Sequence, residues 1–571
     1  MRSRGASSRA PQAESLFTEE ELERFFPRGH ATGSLARLCA AASDALARLM
    51  PDGDLPRVPG WDGKGEYQAL LERYCSLPAD MHSQPDALVT QIASDFFPGA
   101  VNWRCPELQY NLGAAVNVVS SALYAVALDL NVFLINDGLA GNTIVAEQAV
   151  AAILLEAAGV QAGHGHGLFT FGGTGTIAYA IKVGLRKAAP ESVRRGRPRN
   201  IRLAVTEDAH FSHATAADWL GIGSDELLIL PSDRERRSCI KRAERLLREA
   251  IERGNTVPAL LINGGTTYDH AIDDIPAFVE LRDRLVTDYS LEYVPHVHAD
   301  SVVGWVWLFF RHYDFDANPL GLSPRGLEAI RAQYERAKWI SLADSWGVDF
   351  HKGAGACPID CSMFIANDAA DIVRLRKGDT PQASTHQLAD ELSVVSPVDY
   401  TLETSRAGGK PLAALGSLHS LGRDGYRRAV ANLIENAMLF RHLVEQQFEM
   451  EVLNPYALGY QTMVRLYEPG TADDDRRGAE LTRSDASTGE FVTAGNAYLK
   501  RFFVWDNQGR MDVNAGGFVY SYTRHFVTTP SGVPISGLKV YPTSPRIGRR
   551  HIREAVELLA ARKLAFDLTF G

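Results

Sequence analysis

From about residue 105 the chain alternates short apolar runs with helical patterns: GLFTFGG before TIAYAIKVGLRKA, IRLAVTED before ATAADWLG, then PALLING and YVPHVHAD. Strands separated by a helix can pair in parallel through that crossover. The rhythm therefore predicts an α/β fold built on a mostly parallel sheet. Such sheets bind ligands where strands end and loops begin, so the residues just after each run are the first candidates for function.

The flanks read differently. Residues 1–104 mix helical patterns with Pro/Gly punctuation such as MPDGDLPRVPGWDGKGE, which predicts an N-terminal helical segment packed onto something larger. Residues 105–415 are expected to form the large domain. The run DGYRRAVANLIENAMLFRHLVEQQF then leads into residues 416–571, read as a smaller α+β domain with the strand GYQTMVRLY and the closing helix RRHIREAVELLAARKL. Within it, EPGTADDDRRGAELTRSDASTGE is polar and weakly patterned, which predicts an exposed insertion. A chain of 571 residues is too long for one ordinary core, so two or three domains are expected.

Charge and cysteine usage narrow the class. The 59 basic and 69 acidic residues give a net charge of −10, spread without blocks, which argues against nucleic acid as a partner. The longest apolar run, SSALYAVALDLNVFLI, carries Asp129 and Asn131 and reads as a buried helix, not a membrane span. The N-terminal MRSRGASSRAPQAES is Arg- and Ser-rich with no hydrophobic region; it is not a secretory signal and reads as a disordered tail, with a transit peptide as the alternative. Six scattered cysteines make no disulfide framework and point to a cytoplasmic setting. Cys357 and Cys361 form a C-x3-C pair with no second pair at zinc spacing, so no metal is expected.

Four strand-end segments carry chemistry, each with an ordinary alternative. In FTFGGTGT a strand runs into Gly172, Gly173, Thr174, Gly175 and Thr176 before a helix. That arrangement suits a phosphate, although a Gly-rich turn is as often only a tight turn. EDAHFSH places His210 after IRLAV, where an imidazole can stack on a flat ring or move a proton, or simply sit satisfied at a domain edge. YVPHVHAD ends at Asp300, a carboxylate able to pair with a ring nitrogen or to cap a helix. Between them NGGTTYDHAIDDI offers Thr266 and Thr267, with Asp273 and Asp274 as helix caps. The fourth, DSWGVDFHKGAG, sets His351 and Lys352 between an apolar segment and small residues. A partly desolvated lysine there can form a Schiff base with an aldehyde.

In this order the parts resemble those of the group II pyridoxal phosphate-dependent amino acid decarboxylases, over residues 100 to 440. The resemblance implies a fold type I large domain and pyridoxal 5'-phosphate as cofactor. It also implies a homodimer and carboxy-lyase activity on an L-amino acid. It implies that Lys352, in DFHK where the family commonly has DPHK, carries the Schiff base to the cofactor. Asp300, in HADSVVG, pairs with the pyridine nitrogen, and Val302 sits against the ring's other face. His210 stacks on the ring and serves proton transfer; Gly173 and Thr174 bind the phosphate. Asp349, His351 and Thr267 lie beside the cofactor. TLETSRAGGKPLAALGSLHSLGRDGY resembles a segment of bacterial glutamate decarboxylases, with Arg406 its conspicuous charge.

Departures from the family pattern are local. Gly175 and Thr176 stand where GGTEAN has Glu-Ala, DFHK lacks the proline, and the region matching the family's mobile loop contains only Tyr400. VVGWVWLFF and PELQYNLG, expected on the substrate side, are poor in cations and predict a neutral aromatic or apolar substrate. Arg104 or Arg406 would serve an acidic one. The alternatives are an oxygen-consuming aldehyde synthase or another lyase on the same scaffold, and an inactive cofactor-binding scaffold.

Overall fold

The computed structural model describes residues 18–27, 32–49, 64–97, 100–377, 397–471, 474–509 and 517–570. The N-terminal tail, and the part of the expected mobile loop before Pro397, lie outside these. The chain divides into two compact units, the first reaching Ala100 and the second carrying the chain from Val101 onward. In the first unit, helix Thr32–Leu49 packs on helix Pro85–Phe96, and an Arg37–Asp86 ion pair joins them. Thr18 and Glu21 form a reciprocal capping box that starts helix Glu19–Phe25.

The second unit holds the expected sheet. Its strands are β1 (His166–Phe171), β2 (Leu203–Thr206), β3 (Leu227–Leu230), β4 (Ala259–Asn263), β5 (His296–Asp300), β6 (Ser345–Asp349) and β7 (Cys361–Ala366). They lie in the order β1-β7-β6-β5-β4-β2-β3. All neighbours are parallel except β7, which runs antiparallel to both β1 and β6. Helices Gly173–Ala188, Ser212–Trp219, Ile240–Glu252, Ile275–Asp288 and Pro324–Ala337 form the crossovers between successive strands from β1 to β6. Every residue of β2, β4, β5, β6 and β7 is buried. Sheets covered on both faces require such continuous burial, which explains their near-unbroken apolar runs.

The exception is β5, where His296, His298 and Asp300 share one face by the two-residue period of a strand. Polar groups this deep must find partners. The Ser345 hydroxyl sits 2.7 Å from His296 Nε2 and 2.8 Å from His298 Nδ1, and Lys187 lies 3.1 Å from His296 Nδ1.

Helix Gly409–Val444 bends at Gly422, whose φ of 61° breaks helical geometry. Ala414, Leu418 and Tyr426 belong to the core around the large sheet, whereas Phe440 and Val444 belong to a second core. That core is built on the antiparallel sheet β10-β11-β9-β8, where β8 is Met450–Val452, β9 Thr462–Leu466, β10 Ser521–Thr528 and β11 Pro534–Val540. The boundary expected at 415/416 thus falls inside one helix, and both sheets lie in a single compact unit.

Two expectations are corrected. The polar stretch after β9 is not simply an exposed insertion. It forms helix Asp474–Glu480, and Glu480 is buried 2.8 Å from the equally buried Arg465 and 2.8 Å from the Tyr467 hydroxyl. One buried ion pair outweighs a polar pattern. Nor is helix Val118–Asp129 buried: Val118 is 72% exposed and Leu128 55%, since only one side packs on helix Gly409–Val444.

Candidate active site

The carboxyl ends of β4, β5 and β6 lie side by side and place Asn263, Asp300 and Asp349 in a row, with Asn263 directly opposite Asp300 in register. The turn after β1 closes the row from the other side. Gly172 adopts φ 89°, a conformation that glycine takes at little cost, and Gly173 opens the helix. A Cβ at Gly173 would stand 2.9 Å from Asp349 Oδ2 and 3.2 Å from Val302 Cγ1, so only hydrogen fits.

Together these ends enclose a cavity of about 120 Å³. All nine residues expected at the site line it: Gly173, Thr174, His210, Thr267, Asp300, Val302, Asp349, His351 and Lys352. Ser212, Asn263, Gly265 and Thr266 line it as well. Of these, Asn263 was legible as the last residue of an apolar run; Ser212 and Gly265 carry no separate signal.

Lys352 Nζ lies 2.8 Å from Asp349 Oδ2. Burial by itself would lower the lysine, but the charges of Asp349 and Asp300 outweigh it and hold its pKa above the ordinary value. Burial would likewise raise Asp349, yet Lys352 and His351 keep it below the usual carboxylate range. The Ser362 hydroxyl donates to Asp349 Oδ1 at 2.5 Å, and His351 Nδ1 faces the Cys361 carbonyl at 3.3 Å. His210 is lowered, mainly by burial, with Asp300 opposing and Lys352 reinforcing. An imidazole so placed is neutral near pH 7.

Two buried polar atoms of lining residues, Asn263 Nδ2 and Asp300 Oδ1, have no hydrogen-bond partner. Such atoms are costly in a dry interior, and their convergence on one cavity marks a place prepared for a polar ligand. Threonine and glycine amides at a helix start suit an anion at one end, and the Asp300 carboxylate suits a ring N–H at the other. The lysine amine lines the same cavity. These residues fit a flat, phosphorylated pyridine aldehyde.

Other expectations are not met by position. Arg406 is buried and paired with Glu147, and it also donates to the Phe169 carbonyl at 3.0 Å, so it is no substrate ligand. Arg104 donates to the Val116 carbonyl and does not line the cavity. The aromatics of VVGWVWLFF form a 3-10 helix, Gly304–Phe310, wholly inside the core; only Val302 of that stretch reaches the cavity. Tyr400 packs beside the core that includes Tyr179 and does not line the cavity. Asp274 does cap its helix, accepting from Ala277 N, whereas Asp273 ties Ser238 N and Asn263 N.

A lysine, a histidine and an aspartate thus stand together at the strand ends of this sheet. No family model matches the chain. It is 28% identical over 253 residues to an L-tyrosine decarboxylase of Enterococcus faecalis, covering 41% of this chain and 39% of that protein. It is 25% identical over 262 residues to an aspartate 1-decarboxylase of Aliivibrio fischeri, covering 44% and 40%. The match thus spans about two fifths of the length of these relatives. The crystal structure of Oryza sativa TDC with PLP and tryptamine superposes with a TM-score of 0.73 at 15% identity, over 95% of this chain and 99% of that one. The resemblance to the group II pyridoxal phosphate-dependent decarboxylases is borne out, as is the fold type I architecture that it implied.

Proposed function

We propose that the protein binds pyridoxal 5'-phosphate in this cavity and decarboxylates an L-amino acid to its amine. The observation that carries the reading is the convergence of the Lys352 amine, the unpaired Asp300 Oδ1 and the glycine-lined helix start on one buried cavity. When bound, the cofactor supplies the electron sink that lets the bond to the substrate carboxylate break.

The chain's own groups do the rest. Lys352 is the covalent anchor for the aldehyde, and Asp349, 2.8 Å away, takes up the charge its amine carries before reaction. The Asp300 carboxylate would accept the ring N–H and keep the ring protonated. Gly173 and Thr174 hold the phosphate through helix-start amides and a hydroxyl. Val302 and His210, which both line the cavity, would cover the two faces of the ring. His210, its pKa lowered by burial, would act as a base that takes a proton and passes it on, and Lys352 would be the other group in the cavity able to carry the proton returned to the product carbon.

The substrate's side chain is neutral, aromatic or apolar. This reading is supported by a lining that offers no arginine, since Arg104 and Arg406 are engaged elsewhere. The active form is a homodimer, with the side of helix Val118–Asp129 on which Val119, Leu123 and Val126 are exposed meeting a second copy.

The test is to replace Lys352 with Ala. The variant should lose the visible absorbance of the cofactor–lysine bond and release no carbon dioxide from any amino acid that wild type consumes. Undiminished turnover would remove Lys352 from the chemistry. Aldehyde and peroxide from the wild type in place of amine would assign the oxidative reaction instead.

A further inference from the structure

Arg236, in the loop after β3, has φ 63°, in the left-handed region that glycine takes at little cost and arginine does not. It ends a tight turn, closed by Arg236 N donating to the Asp233 carbonyl at 3.1 Å. The turn is fixed without its side chain. Ser232 N donates to Glu207 Oε2 at 2.8 Å, and Ser238 N donates to Asp273 Oδ1 at 2.7 Å. A residue held in a strained conformation that its own loop does not require points to a task for the side chain.

That side chain reaches across the sheet. β3, β2 and β4 are successive neighbours, so the loops that follow them lie side by side. The Arg236 guanidinium forms one ion pair with Asp208, in the loop after β2, and a second, at 3.7 Å, with Asp269 Oδ2, in the loop after β4. The two carboxylate side chains are 4% and 3% exposed. Among the described residues, Arg236 is the one cation within ion-pair distance of either. Arg441 is spent on the carbonyls of Ala457, Gly459 and Gln461. The Phe526 ring covers the guanidinium, 5.6 Å away, and Asn454 Nδ2 donates to Asp269 Oδ1 at 3.1 Å.

Both carboxylates stand next to the cavity lining. Asp208 comes two residues before His210 and Asp269 two residues after Thr267, and His210 and Thr267 line the cavity whereas Arg236 does not. Two buried carboxylates on adjacent loops repel unless a cation stands between them.

We propose that Arg236 is a positioning residue that clamps the loop carrying His210 to the loop carrying Thr267. By neutralising Asp208 and Asp269 together it fixes how far apart the two loops stand, and with that the place of the imidazole over the ring. This rests on the reading of the cavity as a pyridoxal phosphate site.

Two variants test the clamp. Arg236→Met keeps the length of the side chain and removes its charge. Asp269→Asn keeps an acceptor for Asn454 and removes one half of the clamp. The readouts are the dissociation constant for pyridoxal phosphate, by fluorescence titration, and the visible circular dichroism per bound cofactor, which reports how the ring is held. Thermal unfolding of the cofactor-free proteins reports on the fold. Arg236→Met should bind the cofactor about tenfold more weakly, roughly the worth of a ring-stacking contact, and should show reduced dichroism. Asp269→Asn should fall between wild type and the Met variant in both.

An arginine with a merely structural role lowers the melting temperature and leaves both cofactor readouts unmoved. A folded Arg236→Met with wild-type binding and dichroism therefore overturns the proposal. If the Met variant does not fold, Asp269→Asn decides alone: binding weakened by at least about threefold with reduced dichroism supports the clamp, and wild-type values overturn it. A wild-type protein that takes up no pyridoxal phosphate ends both the cofactor reading and this proposal, while uptake unaffected by either variant removes Arg236 alone.

Discussion

Replacing Arg406 with Ala tests whether the charge once expected near the substrate is instead part of the frame. The guanidinium donates to both Glu147 oxygens, at 3.3 Å for the Nη1 contact, and to the Phe169 carbonyl at 3.0 Å. The Arg406 and Glu147 side chains are 5% and 2% exposed. After truncation the Glu147 carboxylate, 2% exposed, keeps one donor among these, the Phe169 N–H at 2.7 Å. Breaking one side of a buried pair costs about 3–5 kcal/mol, because a charge is left uncompensated. The double variant Arg406→Met, Glu147→Gln removes that charge and should cost less than Arg406→Ala alone. Urea unfolding of the cofactor-free proteins, followed by circular dichroism, measures the stabilities. Carbon dioxide release from acidic, aromatic and apolar amino acids measures preference. The expected result is a large loss of stability with an unchanged order of substrates. Unchanged stability with a changed preference for acidic substrates would refute the argument and return Arg406 to the substrate side.

Gly173→Ala puts a Cβ 2.9 Å from Asp349 Oδ2, so cofactor binding measured by fluorescence titration should weaken by at least about tenfold while the cofactor-free protein still unfolds cooperatively. His270 is fully buried, neither ring nitrogen has a partner, and burial lowers its pKa to about 3. The unfolded chain therefore binds a proton that the folded one refuses between pH 6.5 and about 3, and stability falls as pH drops through that window. The slope from this one group reaches about 1.4 kcal/mol per pH unit, and urea titrations of His270→Leu should show it removed. Val126→Glu with Leu130→Glu places charges on the exposed apolar side of the chain around helix Val118–Asp129. Sedimentation velocity should show a dimeric wild type and a monomeric variant, and a variant that stays dimeric moves the interface elsewhere.

Much of the site was legible before the fold was known. Strand ends and glycine turns are local signals, so FTFGGTGT, EDAHFSH, YVPHVHAD and DFHKGAG marked Gly173, Thr174, His210, Asp300, His351 and Lys352, while Thr267, Val302 and Asp349 came from the family resemblance; all nine lie around one cavity. What failed were inferences about the partners of a side chain. Arg406 in a polar stretch looked free, yet it is bound to Glu147 from 259 positions earlier. The aromatics after Asp300 looked like a substrate wall, yet the 3-10 helix turns them into the core. Glu480 sat in an unpatterned segment, yet it neutralises a buried arginine.

The sequence by itself determined the α/β rhythm, the positions where strands end and the residue types that stand there, because periodicity and turn chemistry act over a few neighbours. Only the tertiary structure decided which strand ends adjoin and which charges are answered from across the chain. Those outcomes depend on sheet order and on desolvation, which a linear pattern does not carry.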